Sequence, residues 1–375
     1  MVKISVIIPV YNVGEFLNEA ISSLLNQTFT DFELICVNDC SKDNSLEILE
    51  KFSEIDPRVI VIDKENGGCG SARNRALDEA KGEYIYFFDP DDYILPNAFE
   101  ELYKNITDNN SDLVLFKIAM FIDGEPIDYS NPLFNFDEIF TDVDFNNFVF
   151  TYKDVKSHVL NSGFAPWSKL YRKSFLDEYD DFRFDLGVAF DDVPFHVKSM
   201  VRAKKISFAP DYYYHYRCAN PNSVNNTSSN GVDIFKIINI VENFLRSENY
   251  FNELKNEFNY FKLTQIFMYM MSSNSEDYFQ LAKKEIDNLS TDDISGVPQH
   301  ILKKCDYVQD SDSFEEYKLR KEIDYKKSEI KKLSKQNKSL KKEKKKVDKI
   351  NKEILSSTSW KVTKPLRTFK RFLKK

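Results

Sequence analysis

The stretch YIYFFDPDD, residues 84–92, decides the fold, because an apolar run passes directly into three carboxylates. The run from Tyr84 to Phe88 has the length and aromatic content of a buried strand. Adjacent carboxylates repel one another unless a cation offsets them, and a hard divalent ion does so. An EF-hand loop is excluded, because Ile94 stands where that loop requires glycine. The two interpretations left are a solvated acidic turn and a Mg²⁺ or Mn²⁺ site completed by substrate phosphates.

Strands and helices alternate over the first 120 residues, which predicts an α/β fold with a mainly parallel sheet flanked by helices. The predicted strands cover residues 4–9, 32–38, 59–63, 84–88 and 113–117. Sheets of this kind bind ligands outside the carboxyl ends of their strands. Polar residues follow three of these ends, namely Tyr11-Asn12, Asn38-Asp39 and Asp89 to Asp92. We therefore expect these segments to meet at one edge of the sheet.

A glycine-rich segment, Asn66 to Arg75, follows the third predicted strand and leads into a helix. Glycines such as Gly68 allow close backbone approach, and a helix N-terminus and Arg73 both favour anions, so the segment suits a nucleotide diphosphate. Arg73 stands where a dinucleotide fingerprint needs glycine or alanine, and no P-loop motif occurs. The first observation argues against a Rossmann oxidoreductase, and the second argues against a P-loop NTPase. Two residues each keep two interpretations. Asp39 is either a ligand-binding residue or a helix cap, and Tyr11 is either a platform on which a base stacks or a half-buried aromatic residue.

Four motifs follow one another along the chain: SVIIPVYN (5–12), VNDCS (37–41), GSARN (70–74) and DPDD (89–92). In this order and spacing they resemble the inverting family-2 glycosyltransferases with the GT-A fold. The resemblance covers about residues 1–225 and implies a nucleotide-sugar donor, most often a UDP-sugar. The donor-binding residues expected from the resemblance and the glycine-rich segment are Pro9, Tyr11, Asp39, Gly68, Arg73, Asn74 and Asp89. Asp89 and Asp91 would form the D-x-D element that holds Mn²⁺ or Mg²⁺.

Two later segments resemble other parts of these enzymes. Residues 161–171, NSGFAPWSKLY, resemble the acceptor side, which makes Trp167 and Lys169 candidate acceptor-side residues. Residues 188–195 resemble the segment with the catalytic base, where the family more often has Glu before Asp. Here the pair is Asp191-Asp192, and the family position favours Asp192 as the base over Asp191. A carboxylate beside a like charge can have its pKa raised toward that task, and a pair of helix caps is the alternative.

The aromatic run YYYHYR, residues 212–217, ends in a basic residue. By resemblance, Arg217 would fold over the donor diphosphate and His215 would be a third metal ligand. A packed or hydrogen-bonded histidine is the alternative. The implied reaction is a single displacement that moves a sugar to a hydroxyl of a cell-surface polysaccharide, glycolipid or glycoprotein glycan. The competing functions are a nucleotidyltransferase acting on sugar phosphates and a non-catalytic sugar-binding module.

The composition places the chain among globular proteins, with 42% hydrophobic residues over 375 positions. Five cysteines, at 36, 40, 69, 218 and 305, have no metal-binding spacing and cannot all pair, which favours a reducing compartment. The opening apolar run is short and ends at Pro9, which indicates a strand and not a signal peptide. These features favour a cytoplasmic protein. Together with the basic tail described next, they predict peripheral association with the inner face of the cell membrane.

Charge divides the chain unevenly. Residues 313–375 hold 23 Lys and Arg against 8 Asp and Glu, whereas the preceding residues hold 29 against 52. The predicted domains are a GT-A catalytic domain (1–228), a helical extension (229–312), a basic helix with heptads (313–357) and an amphipathic basic tail (358–375). Four of the eleven heptad core positions are polar, so the helix is expected to be either a weak homo-oligomeric coiled coil or a solvated single helix. The tail combines aromatic and basic residues, which predicts binding to an anionic membrane surface; RNA is the less favoured partner.

Overall fold

A computed structural model gives the positions of residues 2–130, 139–140, 143–161, 163–218, 231–290, 296–363 and 367. The chain divides into two compact units, Met1–Lys304 and Cys305–Lys375. The first unit contains the predicted catalytic region and most of the helical extension. The second unit contains the basic helix.

Among the described residues, eight strands form one sheet in the first unit. In chain order they are β1 (Ile4–Val10), β2 (Phe32–Asn38), β3 (Val59–Asp63), β4 (Tyr84–Phe87), β5 (Tyr93–Ile94), β6 (Leu113–Phe121), β7 (Lys169–Arg172) and β8 (Ile206–Arg217). Their order across the sheet is β3-β2-β1-β4-β7-β6-β8-β5. The five predicted strands are therefore present, with β6 extending four residues beyond its predicted end at Lys117.

One strand runs against its neighbours at the centre of the sheet. β1 pairs in parallel with β2 and β4, and β6 pairs in parallel with β8, whereas β7 lies antiparallel between β4 and β6. Because of this reversal, the amino end of β7, at Lys169, lies at the same edge as the carboxyl ends of β1, β2 and β4. The carboxyl end of β8, at Arg217, lies at this edge too. The sheet topology thus brings both halves of the catalytic region to one edge.

Helices cover the sheet and extend beyond it. The helices of the first unit are α1 (Gly14–Leu25), α2 (Ser45–Ile55), α3 (Cys69–Glu79), α4 (Ala98–Asp108), α5 (Lys156–Val159), α6 (Lys173–Leu176), α7 (Asp192–Arg202), α8 (Asp233–Ser247), α9 (Phe251–Ser273) and α10 (Glu276–Asp287). α11 (Gln299–Gln309) crosses into the second unit. Every residue of β1 and β2 is buried, as expected for strands covered on both faces.

A buried arginine joins the helical extension to the catalytic region. Arg202, in the last turn of α7, pairs with Glu248 just after α8 and with Asp181 in the preceding loop. Its guanidinium also lies over the rings of Phe182 and Phe244, 5.1 and 4.9 Å from their centroids. Because the loss of its partners would leave the buried charge of Arg202 uncompensated, these contacts stabilise the junction between α7 and α8.

The second unit is dominated by one long helix. α12 (Phe314–Ser356) has 43 residues, and Ser313 caps its first turn by accepting the N–H of Glu316. The short helix α13 (Thr358–Val362) follows. The apolar heptad side chains of α12 are between about half and two-thirds exposed, for example Leu319 at 50% and Ile330 at 66%. Most of the predicted amphipathic tail lies outside the described residues.

None of the helices in the described ranges combines the length and the apolar character needed to cross a membrane.

Candidate active site

The glycine-rich loop is held in place by Asp39, which follows β2. One carboxylate oxygen of Asp39 accepts the backbone N–H of Gly67 at 2.9 Å, and the other accepts that of Gly68 at 2.7 Å. The ammonium of Lys64 pairs with the same carboxylate at 2.7 Å. Gly68 has a φ of 87°, in the left-handed region that favours glycine. Asp39 therefore positions the loop that enters α3 and does not cap α2, whose N-cap is Asn44.

The segments that follow β1 and β2 are joined through their polar side chains. The side-chain oxygen of Asn12 accepts the N–H of Lys42 at 2.6 Å, and the hydroxyl of Ser41 accepts the N–H of Asn12 at 3.1 Å. Asn12 and Cys40 both have positive φ angles, 53° and 64°, which non-glycine residues rarely adopt. Tyr11 is 50% exposed beside this junction, so its ring is open to a ligand.

The three carboxylates of the DPDD segment have different environments. Asp92 is buried and accepts the backbone N–H of Arg217 at 2.6 Å and the hydroxyl of Tyr214. Burial raises the pKa of the Asp92 carboxyl well above its usual range. Asp89 pairs with Arg73 at 3.0 Å, and Asp91 is partly exposed. Asp92 is thus structural, while Asp89 and Asp91 face the solvent edge of the site.

Arg73 connects Asp89, on the candidate donor side of the site, to the segment that carries the candidate base. Its guanidinium pairs with Asp89 at 3.0 Å and with Asp191 at 3.7 Å, and it lies over the ring of Phe184, 5.1 Å from the centroid. The arginine is only 6% exposed. A buried cation between two carboxylates holds the two segments together. These contacts bring Arg73 of α3 and Asp89, which follows β4, to the start of α7.

The adjacent carboxylates Asp191 and Asp192 are not equivalent. Asp191 is 8% exposed, lies against Gly70 and Arg73, and burial raises its pKa to about 7. Asp192 is the first residue of α7 and is partly exposed, and partial burial raises its pKa as well. A proton acceptor must be reachable by the acceptor hydroxyl. Asp192 begins α7 and is partly exposed, whereas Asp191 is engaged with Arg73 and lies against Gly70 of α3.

Of the acceptor-side candidates, Lys169 is the first residue of β7 and Trp167 lies two residues before it. The ring of Trp167 stacks on Tyr214 at 4.5 Å and on Tyr216 at 5.4 Å between centroids, and the side chain is 7% exposed. The buried ammonium of Lys169 donates to the carbonyl oxygens of Gly163 and Ala165. Burial lowers the pKa of Lys169 to about 7, and the negative charge of Asp192 opposes this shift. Lys169 thus holds the 163–168 segment in place, and Trp167, which belongs to that segment, packs against β8.

Three further site candidates have protein partners. Asn74 exchanges two hydrogen bonds with the backbone of Phe184, at 2.8 and 2.9 Å. Arg217 donates to the exposed carboxylates of Glu19 and Asp123. The imidazole of His215 shares a hydrogen bond with the hydroxyl of Tyr93, and its Nε2 is buried without a hydrogen-bond partner among the described residues. Pro9 lies within β1, opposite Val37 of β2.

Two carboxylates could contribute to a metal site. Within the part of the chain that the structure describes, no three His, Cys, Asp or Glu side chains form a group that could hold a metal ion. The predicted set of Asp89, Asp91 and His215 is therefore not assembled by the protein alone. Asp89 and Asp91 nevertheless offer hard oxygen donors at the solvent edge. This pair fits Mg²⁺ or Mn²⁺ when diphosphate oxygens and water complete the coordination.

Several residues that shape the site were absent from the sequence-based prediction. Lys64 and Phe184 contact the predicted residues Asp39 and Arg73, and Tyr269 of α9 contacts Phe190 beside the candidate base. These contacts join segments far apart in the chain, and no local pattern marks them. Among the residues that shape the site without having been predicted as site residues, only Asp92 was marked by the sequence, as the third carboxylate of the DPDD segment.

The sheet order, the glycine loop and the arrangement of carboxylates define a GT-A fold. The crystal structure of S. aureus TarS 1–349 in complex with UDP matches this fold with a TM-score of 0.60 at 24% identity. The match covers 84% of this chain and 89% of that one. The mixed α/β sheet with a helical C-terminal region, predicted from the sequence, is therefore confirmed.

The chain belongs to the family described as Glycosyl transferase family 2, whose sequence profile matches residues 5–180. Glycosyltransferase GlyG of Streptococcus pneumoniae is 34% identical over 222 residues, which cover 57% of this chain and 70% of GlyG. The poly(ribitol-phosphate) β-N-acetylglucosaminyltransferase TarS of Staphylococcus aureus is 32% identical over 219 residues, 58% of this chain and 35% of TarS. The chain spans about a third of the length of several of its curated relatives. The family resemblance seen in the motifs is confirmed.

Because α3 approaches Asp191 closely, we expect a substitution at Gly70 to destabilise the protein. A Cβ atom at Gly70 would lie 2.1 Å from a carboxylate oxygen of Asp191, so Gly70→Ala must displace that side chain. We expect Gly70→Ala to lower the free energy of unfolding by about 1–3 kcal/mol. At Gly231 the nearest atom to an added Cβ is 3.6 Å away, an ordinary contact. Gly231→Ala is the control, and equal denaturant midpoints for the two variants would contradict the expected contact.

Proposed function

We propose that this protein is a metal-dependent, inverting glycosyltransferase that moves a sugar from a UDP-sugar to a hydroxyl of a glycan or lipid-linked acceptor. The observation that carries the proposal is the position of Arg73 between Asp89 on the donor side and Asp191 beside the candidate base. One buried side chain thus couples the proposed diphosphate-binding edge to the residue that directly precedes the candidate base. This arrangement suits the transfer of a group from a diphosphate to a hydroxyl.

The comparisons support the choice of substrates. TarS of Staphylococcus aureus is named a poly(ribitol-phosphate) β-N-acetylglucosaminyltransferase, and crystal structures of it contain UDP or UDP-GlcNAc. These names favour a UDP-sugar donor and a polymeric acceptor for this chain, and we take that polymer to be a cell-surface polysaccharide. Glycolipids and glycoprotein glycans are the other acceptor classes. The sugar itself depends on the shape of the pocket.

The proposed mechanism is a single displacement at the anomeric carbon. Asp192 accepts the proton of the acceptor hydroxyl while that oxygen forms a bond to the anomeric carbon. The bond between this carbon and the diphosphate oxygen breaks, its electron pair leaves with the UDP, and the configuration inverts. Asp89 and Asp91 would hold Mg²⁺ or Mn²⁺, which supplies stabilisation of negative charge on the diphosphate.

Donor contacts follow from the arrangement of the strand ends. Tyr11 would stack on the base, and Gly68, at the N-terminus of α3, would approach the diphosphate. Arg217 is paired with the exposed carboxylates of Glu19 and Asp123, and a bound diphosphate can replace these partners. Asp39, Pro9 and Asn74 act by holding the backbone that forms this surface.

A nucleotidyltransferase acting on sugar phosphates is the competing enzyme. It would release pyrophosphate, whereas a glycosyltransferase releases a nucleoside diphosphate. A non-catalytic sugar-binding module would release neither. Product analysis after incubation with a panel of nucleotide-sugars and Mn²⁺ therefore tests the proposal directly, and release of UDP only from UDP-sugars is the expected result.

The DPDD segment predicts that donor binding depends on Asp91. In Asp91→Ala the partly exposed carboxylate is lost, so the Mn²⁺-dependent increase in UDP affinity should disappear while the fold remains intact. Calorimetric titration of UDP with and without Mn²⁺ measures this. Asp108→Ala removes an exposed carboxylate at the end of α4 and serves as the control. Undiminished Mn²⁺-dependent binding by Asp91→Ala would exclude the assigned metal site.

The two carboxylates at the start of α7 predict separate kinetic effects. Asp192→Asn should bind UDP-sugar normally and lose turnover by at least about 100-fold, the scale of a positioned base. Asp191→Asn leaves the accessible carboxylate in place and should reduce turnover less. Steady-state rates of UDP release with the same donor measure both. If the larger loss belongs to Asp191→Asn, Asp191 is the base.

We further propose that residues 358–375 attach the protein to the cytoplasmic face of the cell membrane. The sequence supports this through Trp360, Phe369 and Phe372, which alternate with basic residues. Nucleic acid is a less favoured partner, because the preceding basic helix α12 has few aromatic residues. Self-association through α12 would be weak, because two lysines (Lys326 and Lys344) and two asparagines (Asn337 and Asn351) occupy core heptad positions.

Deletion of Ser356 to Lys375 tests the membrane proposal. Each basic residue near an anionic surface contributes about 1 kcal/mol, so the intact protein should bind vesicles of anionic phospholipid at low salt and release them as salt rises. The deleted protein should lose vesicle binding and keep UDP binding. Co-sedimentation across a salt series measures this. Equal binding by both proteins, or tighter binding of the tail to RNA, would show a different partner.

A further inference from the structure

Two helices of the extension contact the segment that carries the candidate base. Tyr269 of α9 packs against Phe190, with 4.8 Å between the ring centroids and 40° between the ring planes. Asp233, the first residue of α8, accepts the N–H of Ala189 at 3.0 Å. Phe190 directly precedes Asp191 and has a φ of 63°, which a bulky residue adopts only when its surroundings hold it there. The extension therefore fixes the direction of the Phe190 ring.

The ring of Tyr269 lies within electrostatic reach of the candidate base. Burial, and after it the negative charge of Asp192, raises the pKa of the Tyr269 phenol to about 12. Phe190 and Tyr269 are both only partly buried, so each ring keeps an exposed surface. The indole of Trp167, the aromatic residue expected on the acceptor side, stacks on Tyr214 and Tyr216 instead. Phe190 and Tyr269 are thus aromatic residues beside Asp192 that retain surface for a ligand.

We propose that Phe190 and Tyr269 together form the stacking surface for the sugar ring of the acceptor. The inference rests on the proposed glycosyltransferase function and deepens it by specifying a cyclic acceptor sugar. A pyranose presents an apolar face of C–H groups, which packs on an aromatic ring, while its hydroxyls project from the rim. A sugar lying on this pair would hold a hydroxyl toward Asp192. A linear polyol has no such face and would gain little from the rings.

The test uses the full chain, saturating UDP with Mn²⁺, and two kinds of probe. Methyl pyranosides of glucose, galactose, mannose and N-acetylglucosamine are the ring probes, and ribitol is the linear probe. Saturation-transfer NMR and calorimetric titration measure binding to wild type, Tyr269→Ala, Tyr269→Phe and Tyr260→Ala. Tyr260 lies on α9 nine residues before Tyr269, about two and a half turns away and therefore on the opposite side of the helix. Tyr260→Ala thus removes the same ring from the same helix at a matched control position.

We expect at least one methyl pyranoside to bind wild type, with saturation transfer to its C–H protons. Tyr269→Ala should weaken this binding about tenfold, whereas Tyr269→Phe, which keeps the ring, should stay within about twofold of wild type. Tyr260→Ala should have no effect, and UDP affinity should be the same in all four proteins. Unchanged UDP affinity also shows that the variants are folded.

Three results would overturn the inference. These are the absence of binding by every pyranoside, equal binding by wild type and Tyr269→Ala, and binding of ribitol with the same dependence on Tyr269. Failure of UDP itself to bind wild type would instead count against the proposed function. The UDP titration thus distinguishes failure of the stacking surface from failure of the glycosyltransferase assignment.

Discussion

The site depends on one buried cation. Arg73 is almost fully enclosed, and its guanidinium is shared by Asp89 and Asp191, which come from segments far apart in the chain. A buried charge that loses its partner costs several kcal/mol, so neither carboxylate can move away freely. The edge that would receive a diphosphate and the segment that would receive an acceptor hydroxyl are therefore held at a fixed separation. Phe184, beneath the guanidinium, completes the enclosure.

The antiparallel strand β7 brings residues from the second half of the catalytic region to the same edge of the sheet. Because β7 runs against β4 and β6, its first residue, Lys169, lies where the parallel strands end. Lys169 then holds the 163–168 segment through backbone carbonyl oxygens. β8 returns to the same edge and delivers the backbone N–H of Arg217 to the buried carboxyl of Asp92. The sheet thus acts as a frame on which distant loops converge.

The sequence predicted the parts of the site that follow from local pattern. The strand positions, the glycine loop and the carboxylates after β4 were predicted because period, turn chemistry and charge clustering are local properties. The contacts of Asp39 were not, because a carboxylate after a strand looks the same whether it binds a ligand or holds Gly67 and Gly68. The stacking of Trp167 on Tyr214 of β8 was not predicted either, because it joins segments that are far apart in the chain. Tyr269 could not have been predicted, since only the tertiary fold brings α9 to Phe190.

The contact between Gly70 and Asp191 also limits how this sequence can diverge over evolution. The space beside the first turn of α3 is occupied by a carboxylate, so a side chain at position 70 requires a change at position 191. The same enclosure limits position 191, because any replacement must fit beside Arg73. Drift at position 70 is therefore accepted only together with a change at position 191. Position 191 can itself change while glycine stays at position 70, provided that the new side chain fits beside Arg73.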